Sequence, residues 1–516
     1  MFEGAGAVVK IVTIQMGVVI RQSLKGTFVN YIGVVLGIFV QFYIVAKYLD
    51  PEVIGLSKVV YEVAFLLSTL ALFGSGSTGM RFFPYFKDEK TGNHGFLYYY
   101  LLFPVFGVIT ITLLYLAFRG PIESYFGTKS PLFNQHFYYV LPMMVVLAFW
   151  VWAENYANIN MRIAAPKAVR EIGMRLMMLF IYLAYGFGYI GVTGLIVGFI
   201  VCYGICMVFA VVYSMSIGSR TLKHDWSFVT PELRSKVLKY AGFLMVATIS
   251  GNIIQQMDTF MLAGVKGLYS AGIYTIVIYM AEIVNMPSRN ITPISTPLAS
   301  QAMKDGNIAR AQQLYRQVSI HQMLASSVLL LIVWINLDNI YAIIPNGEKF
   351  AEGRWAVLFL GLSKVAYGTL NFGNTLISFS KYYYWTLFIA LILAAISIVT
   401  NLHFIPIWGL SGAAFASLIT VLVSYAYQQY IVQTKIKTNP FCKAHLRIIL
   451  FLVILFAVNV FIPTLSDISP LLDVLVRTSI IAVIAMFLVY ALRISPQISW
   501  FIHTKILRKD SKTLKK

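Results

Sequence analysis

Long apolar runs, most of about 20 residues, alternate with short polar or Gly/Pro-rich breaks from near residue 26 to near residue 492. As a helix rising about 1.5 Å per residue, a run of that length crosses the hydrocarbon of a bilayer. The pattern predicts about fourteen transmembrane helices, at approximately 26–48, 53–80, 95–118, 136–160, 166–188, 191–216, 240–263, 268–297, 314–336, 354–380, 383–404, 409–433, 445–464 and 471–492. No connection exceeds about 25 residues, so there is no room for a soluble catalytic or ligand-binding domain. The expected fold class is an all-α polytopic membrane protein.

Composition agrees: 59% of the 516 residues are hydrophobic and 12% are charged, with a mean hydropathy of +0.76. The net charge of +20 does not indicate nucleic acid, because the basic residues recur in short loops between apolar runs instead of clustering with aromatics. They report topology. With the N-terminus in the cytoplasm, roughly 31 of the 40 Lys and Arg fall on the cytoplasmic side, which supports an N-in, C-in arrangement. Lys10, Arg21 and Lys25 precede the first long run, which lacks a small-residue cleavage site and reads as a retained span. Cys202 and Cys206 lie within an apolar run and Cys442 in a basic loop, with neither a disulfide framework nor a metal-ligand spacing.

The chain also repeats itself at an offset of about 217 residues: Ala46 aligns with Ala263, Gly55 with Gly272, Ala64 with Ala281, Lys87 with Lys304 and Asp88 with Asp305. One residue further on, "GVTG" at 191–194 meets "GLSG" at 409–412. Spans 1–6 thereby pair with spans 7–12, and an even number of spans per repeat gives both halves the same orientation, a parallel pseudo-two-fold. The domain expectation is an N-terminal six-helix lobe (1–218), a cytoplasmic linker (219–239), a C-terminal six-helix lobe (240–434), two extra helices (435–492) and a basic cytoplasmic tail (493–516). The offset also pairs two interruptions, "GSGSTG" at 74–79 in span 2 and "ITPIST" at 291–296, with Pro287 and Pro297 nearby, in span 8. Broken helices in corresponding positions point to a transport site, since irregular backbone at membrane depth survives only where protein or a watery cavity covers it. Read structurally, they are kinks near helix ends.

"KYLDPEVIGLSKV" after the first span, "YAGFLMVATISGNIIQQMDTFMLAGVKGLYSAGIYTIVIYMAEIVNMP" at 239–287 and "IPIWGLSGAAFASLI" at 405–419 resemble the polysaccharide-biosynthesis flippases, of the O-antigen (Wzx-like) type, of the MOP superfamily. The resemblance covers nearly the whole chain. It implies transport of an undecaprenyl-pyrophosphate-linked oligosaccharide from the cytoplasmic to the periplasmic leaflet, by alternating access between two lobes, at a bacterial inner membrane. In the peptidoglycan-precursor branch an arginine of the eighth span precedes a Leu-Pro turn and lines the cavity. Here "YMAEIVNMP" carries Glu282 instead, a departure that argues against that branch.

A lipid pyrophosphate needs fixed cations facing a hydrated cavity. The substrate-binding candidates are Arg21 and Lys25 at the mouth of span 1, Lys58 in span 2 and Lys364 in span 10. Lys58 lies roughly 8–10 Å and Lys364 roughly 15 Å below the outer edge of its span. Arg21 and Lys25 also satisfy the positive-inside rule simply as orientation anchors. Arg81, Arg289 and Arg477 read as snorkelling residues, and Glu171–Arg175 as an i,i+4 pair.

An intramembrane carboxylate can bind a coupling Na⁺ or H⁺, for which Glu62, Asp258 and Glu282 are the candidates. Asp258 also fits a purely structural polar helix contact. Glu62 and Glu282 are preferred because they lie in the two broken spans, and Lys58 and Glu62, spaced i,i+4, can neutralise one another. No cofactor, metal site or nucleic-acid partner is expected. The expected partners are the lipid-linked substrate, membrane lipids and polysaccharide-assembly enzymes, with the chain a monomer. The rival readings are a cation-coupled multidrug-type exporter of the same superfamily and a membrane polysaccharide polymerase or ligase. Against the latter, the outer loops "GPIESYFGTKSPLFNQ" and "NLDNIYAIIPNGEKFAEGR" hold no acid/base or nucleophile constellation.

Overall fold

The computed structural model describes residues 33, 35–88, 90–160, 162, 164–217, 228–492 and 494. Among them the chain is helical, and it divides into two compact units, Met1–Asn252 and Ile253–Lys516.

The first unit contains α1 (Val35–Tyr48), α2 (Pro51–Ala71), α3 (Ser75–Phe86), α4 (Phe96–Ala117), α5 (Val140–Ile159), α6 (Met174–Gly186) and α7 (Val192–Ile217). Helix α8 (Pro231–Lys266) carries the chain from one unit into the other. Helix α5 is central to the first unit: it packs against α2, α3, α4 and α7 and buries Trp152 and Tyr156 almost completely.

Span 2 breaks where the sequence suggests, though only at the leading edge of the glycine cluster. Helix α2 starts with Pro51 in its first turn and Glu52 beside it, both favourable at an N-terminus. It stops because Phe73 (φ 47°) and Gly74 (φ 68°) adopt left-handed backbone, after which residues 75–86 are helical again. Gly74 is required twice, by its positive φ and because a Cβ there would lie 2.8 Å from the Ala241 carbonyl oxygen and 2.9 Å from the Met245 nitrogen of α8. Across from the break, Gly107 of α4 lets the Ala71 carbonyl approach so closely that a Cβ would stand 1.7 Å from its oxygen.

The second unit comprises the rest of α8, then α9 (Leu268–Val284), α10 (Met286–Lys304), α11 (Ile308–Ile335), α12 (Arg354–Leu370), α13 (Phe372–Ser378), α14 (Trp385–Ile431), α15 (Lys443–Phe461) and α16 (Pro470–Ala491). Helix α12 packs against α9, α11 and α14, while α15 packs on α11 and carries α16. Gly409 (φ 55°, ψ −124°) interrupts α14 and separates two helical stretches that match spans 11 and 12. The predicted break in span 8 is displaced. Helices α9 and α10 meet at Asn285 with a 48° bend, whereas 291–296 is helical within α10, which carries Pro293 and Pro297 internally. Pro287, in the first turn of α10, marks where the new helix begins.

The repeat reappears in the helix starts. Pro51 of α2 and Leu268 of α9 are separated by the 217-residue offset, but α2 runs for 21 residues and α9 for 17, so the two breaks fall out of register. Much of the outer surface is apolar. Along α15, Leu446, Ile449, Leu450, Val453, Phe456 and Val460 are exposed while Ile448, Phe451 and Leu455 are buried. A helix apolar on both faces belongs in lipid. By length and apolarity, eight helices among the described residues can cross a membrane, or nine if the bent pair is one span. The other expected spans fall on helices that are shorter, broken or more polar: α1, the α6 region, α8 and the α12–α13 pair.

The two loops expected on the outer side are short and folded. The helix Arg119–Phe126 is closed by Arg119 Nε–Glu123 Oε1 at 2.7 Å, and Arg354–Asp338 at 2.9 Å ties the second loop.

Candidate functional site

In the first unit, Lys58 and Glu62 stand one turn apart on α2, with Lys58 Nζ 3.0 Å from Glu62 Oε1. Their exposures differ: 19% for the Lys58 side chain against 1% for Glu62. The carboxylate is therefore sealed in the helix packing, and the ammonium covers it. The Lys58 ammonium also lies 6.0 Å from the Tyr61 ring centroid. Tyr61 meets Tyr203 of α7 at 5.5 Å, and Tyr203 meets Trp150 of α5 at 5.5 Å, so three helices contribute an aromatic surface next to the lysine.

In the second unit, Lys364 of α12 and Glu282 of α9 come together, Nζ to Oε1 at 2.6 Å. Arg289 of α10, expected to snorkel, instead donates to Glu282 Oε2 across the bend, and Asn285 Nδ2 donates to the same oxygen at 3.2 Å. Sequence reading missed this partner. The signal was present, since Arg289 follows Glu282 by seven residues, two helical turns on one face. Side-chain exposures of 24% for Glu282, 28% for Lys364 and 55% for Arg289 leave the cluster open on one side. Gly368, one turn beyond Lys364, lets the Ser288 and Ser326 hydroxyls close in; a Cβ would lie 2.8 and 3.4 Å from them. Both hydroxyls are buried, and among the described residues neither they nor Asn285 Oδ1 have a hydrogen-bond partner.

Asp258 of α8 has a different environment. Its carboxylate accepts from Asn401 Nδ2 at 2.7 Å, from Tyr274 OH at 3.2 Å and from Ser417 Oγ. These donors come from α9 and from both stretches of α14, and all are neutral. Among the described residues no cation forms a salt bridge with it. Asp258, Tyr274 and Asn401 are buried, and the second amide atom of Asn401, Oδ1, has no partner among the described residues. Glu62 and Glu282 each hold a cation directly, whereas the groups hydrogen-bonded to Asp258 are neutral.

Arg21 and Lys25 lie outside the described residues, as do the basic tail 493–516, except Ile494, and linker residues 219–227. Arg175 pairs with Glu171 at 3.2 Å. Arg477 does not snorkel: its side chain is 8% exposed and bound to Asp473 Oδ2 at 3.4 Å and Asn459 Oδ1 at 3.0 Å. Asp473 also accepts from Asn339 Nδ2 and from the Leu465 N–H at 2.9 Å. The guanidinium stays buried because α15 and the loop before α16 supply its cluster with partners.

The solved structures similar to this chain are membrane transporters and flippases. An inward closed lipid II flippase, MurJ, matches over 91% of this chain and 100% of its own, with a TM-score of 0.71 at 16% identity. An inward-facing multidrug resistance MATE family transporter of the MOP superfamily matches over 77% and 94%, with a TM-score of 0.57 at 13% identity. A point mutant of the Vibrio cholerae MATE transporter VcmN matches over 80% and 97%, with a TM-score of 0.52 at 14% identity. No curated protein matches the sequence significantly. The family described as polysaccharide biosynthesis protein matches residues 23–303. The chain belongs to that family and is a multi-pass membrane protein with the MOP-superfamily fold.

Proposed function

We propose that this protein is a flippase that carries an undecaprenyl-pyrophosphate-linked oligosaccharide from the cytoplasmic to the periplasmic leaflet of the inner membrane, for O-antigen, capsule or exopolysaccharide assembly. The observation that carries this reading is a pair of part-exposed lysines inside apolar helices, Lys58 and Lys364, one in each unit of a chain from the polysaccharide biosynthesis family. Each lysine is paired with a carboxylate and still part exposed, open to a second anion, and the diphosphate is the anionic part of such a substrate. The proposed architecture keeps fourteen spans, N-in and C-in, two six-helix lobes alternating access, and two extra helices. The chain works as a monomer among lipids, with assembly enzymes receiving the product.

Coupling to Na⁺ or H⁺ is proposed at Asp258. The Asp258 carboxylate, Asn401 Oδ1, Ser417 Oγ and Tyr274 OH offer only oxygen, which suits a hard monovalent cation or a proton. The buried Asn401 Oδ1, without a partner among the described residues, supports this, because a buried acceptor gains from a cation at its side. The same cage would serve a cation-coupled exporter of small amphipathic molecules, a second reading that the MATE fold likeness keeps in view. Proteoliposomes separate the two. Movement of lipid-linked oligosaccharide to the opposite leaflet supports the flippase; expulsion of an organic cation against an ion gradient, with lipid-linked sugar left in place, replaces it.

A further inference from the structure

Glu282 is held as an anionic ligand would be held. Its Oε1 takes Lys364 of α12 at 2.6 Å, and its Oε2 takes the Arg289 guanidinium and Asn285 Nδ2 at 3.2 Å. Phosphate oxygens ask for the same donors, an Arg and a Lys around one anionic group. The cluster is open to one side, and the Ser288 and Ser326 hydroxyls, without partners among the described residues, close on Gly368, one turn from Lys364.

We propose that Glu282 is a built-in place-holder for the substrate's diphosphate: it occupies Lys364 and Arg289 in the unloaded protein, and the arriving diphosphate displaces it. The identity of the carrier, a polyprenyl lipid, rests on the flippase reading; the competition itself does not. With the carboxylate in place the cluster carries one net positive charge, and with it displaced, two. A diphosphate diester, with two charges, offsets that exposed pair. A phospholipid headgroup with a single charge does not, so the place-holder discriminates against singly charged anionic lipids. Displacement also unties both straps made by Glu282, one to α10 across the 48° bend and one to α12. Loading is thereby linked to the bend.

The test uses the full chain in lipid nanodiscs, with inorganic pyrophosphate as the probe in titration calorimetry. Glu282→Gln should bind pyrophosphate about tenfold or more tightly than wild type, the weight of one charge-assisted hydrogen bond, and lose much of the preference for pyrophosphate over singly charged phosphate esters. Lys364→Ala should weaken binding by a similar factor. If Glu282→Gln does not accumulate, Asn285→Ala, which removes one donor to Oε2, should tighten binding about threefold. Unchanged or weaker pyrophosphate binding in the Glu282 or Asn285 variant overturns the place-holder, whatever the transport assay gives. Because the probe contains neither lipid nor sugar, failure of the flippase reading leaves this result standing. Displacement of bound pyrophosphate by polyprenyl diphosphate but not by a nucleoside diphosphate supports the lipid carrier, and the reverse order overturns it.

Discussion

Lys364 and Glu282 are 82 positions apart in the chain, and their side chains meet at 2.6 Å between α12 and α9. The contact places a cation well inside an apolar helix and keeps it part exposed. If that cation serves substrate, Lys364→Ala should reduce export of lipid-linked oligosaccharide about tenfold or more at unchanged protein abundance, since one charge-assisted contact is worth about 1.5–3 kcal/mol. Export is read from surface glycan in cells and leaflet accessibility in liposomes. Wild-type rates would remove Lys364 from the substrate path.

Lys58 calls for a paired experiment because Glu62 behind it is sealed. Lys58→Ala strands a buried carboxylate and should cost about 3 kcal/mol of stability. The double variant Lys58→Met, Glu62→Gln removes both charges and should recover most of that loss, as read by thermal unfolding in detergent. If Lys58 meets substrate, the recovered protein still transports poorly; restored transport would give the pair a structural role alone.

The neutral cage of Asp258 predicts a loss specific to coupling. Asp258→Asn keeps the shape and most hydrogen-bond partners, so the protein should fold and still equilibrate substrate between leaflets. It should no longer respond to an imposed Na⁺ or pH gradient. A gradient response equal to wild type would locate coupling elsewhere.

Gly107 and Gly74 carry the break in span 2. Gly107→Ala forces a Cβ into the Ala71 carbonyl, which is backbone and cannot rotate away, and Gly74→Ala combines a backbone clash with positive φ. Each should destabilise the protein by about 1–3 kcal/mol. Gly120→Ala, where nothing lies within 4 Å, is the matched control and should leave the melting temperature in place.

Arg477 gives the opposite expectation from a snorkelling residue. Arg477→Ala leaves Asp473 buried beside Asn339 and should cost about 3–5 kcal/mol. A change near zero in thermal unfolding would mean that the guanidinium is solvated after all.

Much of the helical layout was readable, because apolar runs and their Gly/Pro boundaries act locally. Pro51 opens α2, Gly409 divides α14, and each expected span meets a helical segment among the described residues. The displaced break in span 8 shows where that signal fails. Prolines inside a membrane helix are tolerated when neighbours satisfy the backbone, so Pro293 and Pro297 do not break α10, whereas Pro287 in a first turn marks its start. The charged residues of the site were visible, but their partnerships were not. Lys364–Glu282 and Asp258–Asn401–Ser417 join residues far apart in sequence, and no periodicity encodes such contacts. Local pairs fared better: Lys58–Glu62 and Glu171–Arg175 follow from one helical turn of spacing.

The cluster around Arg477 also bears on how the chain is assembled. Asp473 and Arg477 ride on α16, while Asn459 sits near the end of α15 and the Leu465 N–H lies between the two helices. Helix α16 entering the bilayer alone would expose both charges to hydrocarbon. Entering together with α15, it brings Asn459 and the Leu465 N–H with it, while Asn339 joins from the earlier helix Leu337–Ile343. The lower cost therefore favours the last two helices leaving the insertion machinery as one hairpin, with these polar contacts made before lipid closes around it.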